Sequence, residues 1–230
     1  MADPDRLLAL DLLRRAGWMA GQAPALAEAL LAHGRLLRLQ FGRWAHGEGD
    51  EDTGVVVVVE GALDLFCQAP GDREVRVGHA GPGAAFGQTI RFGGGPRLVT
   101  AVAAAPSLLL IVSDSALDRV ARDHPDVWRA VAALVYAQLR GALQMAAEAV
   151  ALPSRQRLAG RLAMLSRGRP AELALSQQAL AEMAGVARKT ANACLADFRR
   201  AGLVALGYGR ISVLNPQGLH RIAGEGSKTQ

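Results

Sequence analysis

Arg188, Lys189, Thr190 and Asn192 crowd the start of the run "VARKTANACLADFRRAGL". Read as a helix, this run puts Ala191, Cys194, Leu195 and Phe198 at i, i+3, i+4 and i+7, one buried face. The four polar side chains are left outside at the N-terminal end. Cations and an amide aimed from the first turn and a half of a helix suit the major groove of DNA. There a guanidinium pairs with guanine N7 and O6, and the helix N-terminus favours phosphate.

The preceding residues must position that helix. Ser176 is a capping residue for a first helix whose Leu180, Met183 and Ala184 face inward, and Gly185 supplies the turn. Downstream, "GLVALGYGRISVLNP" reads as two short strands around Gly207–Gly209, closed by Asn215 and Pro216, with Tyr208 and Arg210 at the tip. A helix-turn-helix followed by such a hairpin is a winged helix. Ser176, Gln178, Arg188, Lys189, Thr190, Asn192 and Arg210 are therefore the candidate DNA-contacting residues. Helix pairs with a glycine turn also occur in proteins that bind no nucleic acid, so spacing alone does not decide.

Charge decides further. Residues 1–150 hold 14 Lys and Arg against 17 Asp and Glu, whereas 151–230 hold 12 against 4. A basic module beside a mildly acidic one points to a polyanion partner for the C-terminal third only. The 230 residues, half of them hydrophobic, suffice for two small buried cores. Cys67 and Cys194 are too few for an iron–sulfur cluster or a four-thiolate zinc site, and are expected to be buried thiols. His33, His46, His79, His124 and His220 form no metal spacing. No apolar run is long enough for a membrane helix: Leu98 to Val112 is interrupted by Thr100, Pro106 and Ser107. The opening "MADPDRLLALDLL" has no basic n-region, so the expected compartment is the cytoplasm, with no membrane partner.

Along the chain, residues 5–40 read as short helices, with Gly17 and Gly34 as stops. From Phe41 strands are expected: 13 of the 26 glycines fall between Gly42 and Gly95, punctuating "GVVVVVEG", "ALDLFCQ" and "EVRVGHA". "RLVTAVAAAPSLLLIV" supplies the last strands, broken at Pro106. Helical spacing returns after Asp114, and Pro125 to Leu152 reads as one long helix. Trp128, Ala132, Val135, Leu139, Ala142, Ala146 and Ala149 give it an apolar seam at three-four spacing, suited to a second copy of the chain. Val127, Val131 and Leu134 lie on another side, for packing on its own domain; an ordinary core helix is the competing reading. "LPSR" breaks the helix, and Leu158, Leu162 and Leu165 form the next stripe. The expected organisation is a sensor domain with N-terminal helices over 1–124, a dimerisation helix over 125–152 and a DNA-binding domain over 153–230.

This order resembles the family of the cyclic-AMP receptor protein and the fumarate–nitrate reduction regulator (CRP/FNR). The resemblance covers about residues 25–220 and includes "GEGDEDTGVVVVVEGALDLF" and "VARKTANACL". It implies an α+β fold: an antiparallel β jelly roll like a cyclic-nucleotide-binding domain, a long dimerisation helix and a C-terminal winged helix-turn-helix. It also implies transcription control by a homodimer, no enzymatic activity, and RNA polymerase as a partner. Arg188 falls where the family has its guanine-reading arginine, and Thr190 where a threonine contacts phosphate. Lys189 stands where many members have a base-reading glutamate, and Ala193 where the receptor protein has a second arginine. A dimer reads an inverted repeat with half-sites about 34 Å apart.

For the effector, the resemblance implies a pocket at Phe86, Gly87, Gln88, Thr89, Arg97, Leu98, Ala142 and Leu143. Cyclic-nucleotide binders grip the ribose with a Phe-Gly-Glu turn and the cyclic phosphate with an arginine followed by a small residue. Here Gln88 replaces the glutamate, Leu98 the small residue, and Ala142 and Leu143 the hydroxyl pair that faces adenine. Each ligand polar group left unpaired costs on the order of 1–3 kcal/mol, so a pocket that does not bind cyclic AMP tightly is expected. The cysteine cluster of the iron–sulfur members is absent, and Gly87 stands where the carbon-monoxide sensor has its haem cysteine, so no metal or haem is expected.

Three other readings compete. A cyclic-nucleotide-activated regulator keeps Arg97 as the phosphate grip. A dimer controlled by its own abundance or by a protein partner needs no effector. A jelly-roll metalloenzyme would use His46, Glu48, Asp50 and Asp52, but such sites need two or three converging histidines.

Overall fold

The computed structural model describes residues 3–88 and 95–224. The chain divides into two compact units, Met1–Glu74 with Gly78–Ala142, and Val75–Val77 with Leu143–Gln230.

The first unit opens with α1 (Pro4–Arg15) and α2 (Pro24–His33), joined through a 3-10 turn at Gly17–Met19. Asp3 caps α1 by accepting the Asp5 amide, and Gly34 follows α2 as its C-cap. Residues 35–39, expected to continue the helices, instead form β1 (Arg35–Leu39), which pairs antiparallel with β8 (Ser107–Ser113). The local spacing of "RLLRL" fits either state; pairing with a buried partner selects the strand.

Two four-stranded sheets follow. One has the order β1-β8-β3-β6, with β3 at Gly54–Glu60 and β6 at Ala85–Gln88. The other has the order β2-β7-β4-β5, with β2 at Trp44–His46, β4 at Leu63–Ala69, β5 at Arg73–Ala80 and β7 at Thr100–Ala103. All pairings given by register are antiparallel, so the unit is a two-sheet sandwich. The unbroken valines of β3 have a simple cause: the strand is buried on both faces. Val55, Val57 and Val59 join a core shared with α1, α2, α3 (Asp114–Asp123) and the start of α4 (Val127–Ala151). Val56 and Val58 face the second core, with Leu63, Phe86, Ala101 and Leu109.

The helix α4 buries Val127, Ala130, Val131 and Leu134. Its other face carries Val135, Tyr136, Leu139 and Leu143 exposed. In the second unit, α5 (Ser154–Leu165) buries Leu158 and Leu162. Pro153 is its N-cap, one position before the first helical turn. A three-stranded sheet in the order β10-β11-β9 joins β9 (Ala171–Leu173), β10 (Val204–Gly207) and β11 (Arg210–Val213). It surrounds, with α6 (Gln177–Met183), α7 (Arg188–Arg200) and α8 (Pro216–Ala223), one core centred on Leu180, Leu195 and Phe198. This is a winged helix-turn-helix.

Candidate nucleic-acid interface and effector region

The helix-turn-helix is built from its caps inward. Ser176 Oγ accepts the Ala179 amide at 3.0 Å and starts α6. Gly185, at φ +60, makes the turn that a side chain would strain. Ala187 caps α7 without a side-chain hydrogen bond, so the first amides of α7 are left for an outside acceptor. Ala191, Leu195 and Phe198 anchor the helix in the core. Arg188, Lys189, Thr190 and Asn192 are all exposed, and among the described residues none makes a side-chain hydrogen bond or ion pair.

The other sequence-predicted contacts are less free. Ser176 spends an oxygen lone pair on capping, and Gln178 donates to Glu182 Oε1 at 2.8 Å along α6. Arg210 stands 3.6 Å from Glu172 Oε1 across the sheet, with both side chains largely in solvent. Beside it, Tyr208 is fully exposed at the two-residue tip between β10 and β11. Sequence reasoning overlooked Arg157, which donates to the carbonyls of Ala149 and Gly185. Its signal was present: Pro153 lies four residues after Ala149 and has no N–H to give it.

In the first unit the expected effector residues divide. Phe86 is buried, with its ring centroid 5.8 Å from that of His46. Gly87 has φ +143, and a Cβ there would sit 2.1 Å from the Gly54 carbonyl oxygen, so only glycine fits. Its own carbonyl accepts from Gln138 Nε2 at 3.3 Å. Gln88 ends β6 with its backbone opposite Gly54, and Thr89 lies outside the described residues.

Arg97 is 5% exposed and committed inward. Its Nε donates to the Asp52 carbonyl and its Nη1 to the Gly54 carbonyl, both at 2.9 Å. Burial lowers its pKa, against the pull of Asp52, Asp114 and Asp50. Leu98, next in sequence, is 69% exposed. Ala142 and Leu143 are exposed on α4. The fold thus brings Phe86, Gly87 and Arg97 together around Gly54, but turns the arginine's donors to backbone carbonyls. Two of the arginine's donors, Nε and Nη1, are thereby held by backbone carbonyls.

Along the expected seam, Ala132, Val135, Leu139, Ala142, Ala146 and Ala149 are exposed. Trp128 is half-buried and packs against the core of the first unit. The two cysteines, expected to be buried, are both half-buried, and burial raises both thiols.

His46, Glu48, Asp50 and Asp52 do not converge. Glu48 accepts the Gln68 amide, Asp50 accepts the Gly47 amide, and Asp52 offers Arg97 its backbone carbonyl. Among the described residues no three His, Cys, Asp or Glu side chains are grouped to hold a metal ion, and no helix is long and apolar enough to cross a membrane.

Two family models match separate parts of the chain. The model of the Crp-like helix-turn-helix domain matches residues 156–222, and that of the cyclic nucleotide-binding domain matches residues 40–124. A CRP-like cAMP-activated global transcriptional regulator of Mycobacterium tuberculosis is 24% identical over 204 residues, covering 85% of this chain and 91% of its own. The cyclic AMP receptor protein of Thermus thermophilus is 27% identical over 205 residues, covering 88% and 94%. The solved structure of FixK2 from Bradyrhizobium japonicum has a TM-score of 0.71 at 22% identity, covering 82% of this chain and 96% of that one, a likeness of fold.

Proposed function

Because the chain belongs to the CRP/FNR family of transcription regulators, we propose that it acts as a cytoplasmic homodimer on an inverted-repeat operator without binding cyclic AMP. The observation that carries the DNA reading is the unpaired row Arg188, Lys189, Thr190 and Asn192 at the uncapped start of α7, ahead of the buried Ala191, Leu195 and Phe198. Arg188 is the principal base reader and Lys189 and Asn192 its neighbours on the groove floor. Thr190 and the first α7 amides take phosphate, and Arg210 with Tyr208 follows the sugar-phosphate backbone from the wing.

The dimer reading rests on the apolar face of α4, where Val135, Leu139, Ala142, Ala146 and Ala149 are exposed among the described residues. A second copy covers that face, and a two-fold axis along α4 makes the operator palindromic. Cyclic-AMP activation belongs to the relatives whose names carry it. In this chain the inward commitment of Arg97 and the exposed Leu98 speak against it. Regulation then comes from a different effector, a protein partner or abundance, with RNA polymerase as the downstream contact.

The test is selection of duplexes by the apo protein from random-sequence DNA, alongside its mass by sedimentation. Recovery of an inverted repeat by a dimer supports the reading. Enrichment of no sequence, or of a single half-site by a monomer, contradicts it.

A further inference from the structure

Pro153 creates a problem at the end of α4. An α-helical carbonyl accepts the amide four residues later, and for Ala149 that residue is Pro153, which has no N–H. The helix closes its last turn elsewhere, with the Leu152 amide on the Glu148 carbonyl. The orphaned Ala149 carbonyl is satisfied from α5: Arg157 Nη1 donates to it at 3.0 Å.

The other arm of the same guanidinium reaches the helix-turn-helix. Arg157 Nη2 donates at 3.2 Å to the carbonyl of Gly185, the positive-φ residue that joins α6 to α7. One planar fork therefore spans the C-terminal ends of α4 and α6, where the helix dipoles favour a cation. One turn further along α5, Arg161 is buried with Nη2 3.9 Å from Glu148 Oε2, a second link to the end of α4.

We propose that Arg157 is a positioning residue for DNA binding. By tying the α6–α7 turn to the last turn of α4, it sets the place of the recognition helix relative to the helix on which two copies meet. This rests on the dimeric, operator-binding reading given above. Its consequence is specific: loss of the clamp leaves each winged helix able to read a half-site and makes the two half-sites poor at binding together. A lysine cannot replace it, because one ammonium on a flexible stem does not reproduce a fork fixed on two carbonyls.

The experiment compares wild type with Arg157→Lys, both as the full chain. The probes are a duplex that wild type selects from random-sequence DNA and the same duplex with one half-site scrambled. Wild type is expected to prefer the intact duplex by about 100-fold or more, from linkage of the two sites. Arg157→Lys is expected to keep its single half-site affinity and lose at least ten-fold of that preference. A variant that retains the preference, or that loses both affinities in parallel as a merely destabilised protein would, overturns the clamp. A wild-type protein with no preference for the intact duplex overturns the dimer reading itself, and the clamp with it.

Discussion

Arg97 Nη1 and the Gly54 carbonyl are joined at 2.9 Å, and that same carbonyl oxygen occupies the space a side chain at Gly87 would need. The arginine that the family resemblance assigns to a ligand is here a strut between β3 and the residues before it. Replacing Arg97 with alanine leaves the Asp52 and Gly54 carbonyls without this donor. The expected loss is about 1–3 kcal/mol for each buried carbonyl left unsatisfied. Urea unfolding of Arg97→Ala reads it directly. An unchanged midpoint and slope would show that the strut carries no stability.

The same geometry predicts the outcome of a titration with cyclic AMP. Wild type should give no heat and no thermal shift at micromolar ligand, because binding the phosphate requires the guanidinium to leave two carbonyls. Micromolar binding that Arg97→Ala abolishes would mean that the arginine does turn outward, and that the protein is nucleotide-gated.

His46 supplies a pH dependence. Burial first, and the Arg97 charge second, push its imidazole down to about 4 from an ordinary 6.5. The unfolded chain takes up that proton near pH 6.5 and the folded chain only near pH 4. Stability from this site is therefore full above pH 6.5 and is lost as the pH falls through that window. The loss should reach roughly 2 kcal/mol by pH 5. His46→Phe, which keeps an aromatic ring beside Phe86, should flatten the decline between pH 7 and pH 5. Parallel stability curves for the two proteins would assign the acid sensitivity to other groups.

Leu139 tests the assembly. It is 56% exposed on α4 within one chain, so Leu139→Asp should leave the unfolding temperature of the monomer nearly unchanged while placing a charge in the seam. Sedimentation should show a dimer for wild type and a monomer for the variant at micromolar protein. A variant that remains fully dimeric would move the interface elsewhere.

Much of this fold was legible because its elements announce themselves locally. The α6–α7 pair has a capping serine, a turn glycine and two apolar faces in the right period, and all of these were found where the spacing put them. The valine run of β3 was equally plain, although its burial on both faces needed a helical layer that the run itself does not show. What stayed hidden depends on distant partners. "RLLRL" becomes β1 only because β8 lies beside it. Arg97 becomes a strut only once residues 52–54 fold around it, and the sequence offers no sign of which carbonyls it will meet. Arg157 is an intermediate case: the missing amide at Pro153 is visible in the sequence, but the donor that answers it is not.

The central claim is that the start of α7 reads DNA. Its most direct test is the affinity of wild type and Arg188→Ala for the selected operator and for each single-base variant of one half-site. Arg188→Ala should lose about 1–3 kcal/mol on the operator and lose its discrimination at one guanine position, with discrimination elsewhere retained. Unchanged affinity and an unchanged base preference at every position would contradict the assignment.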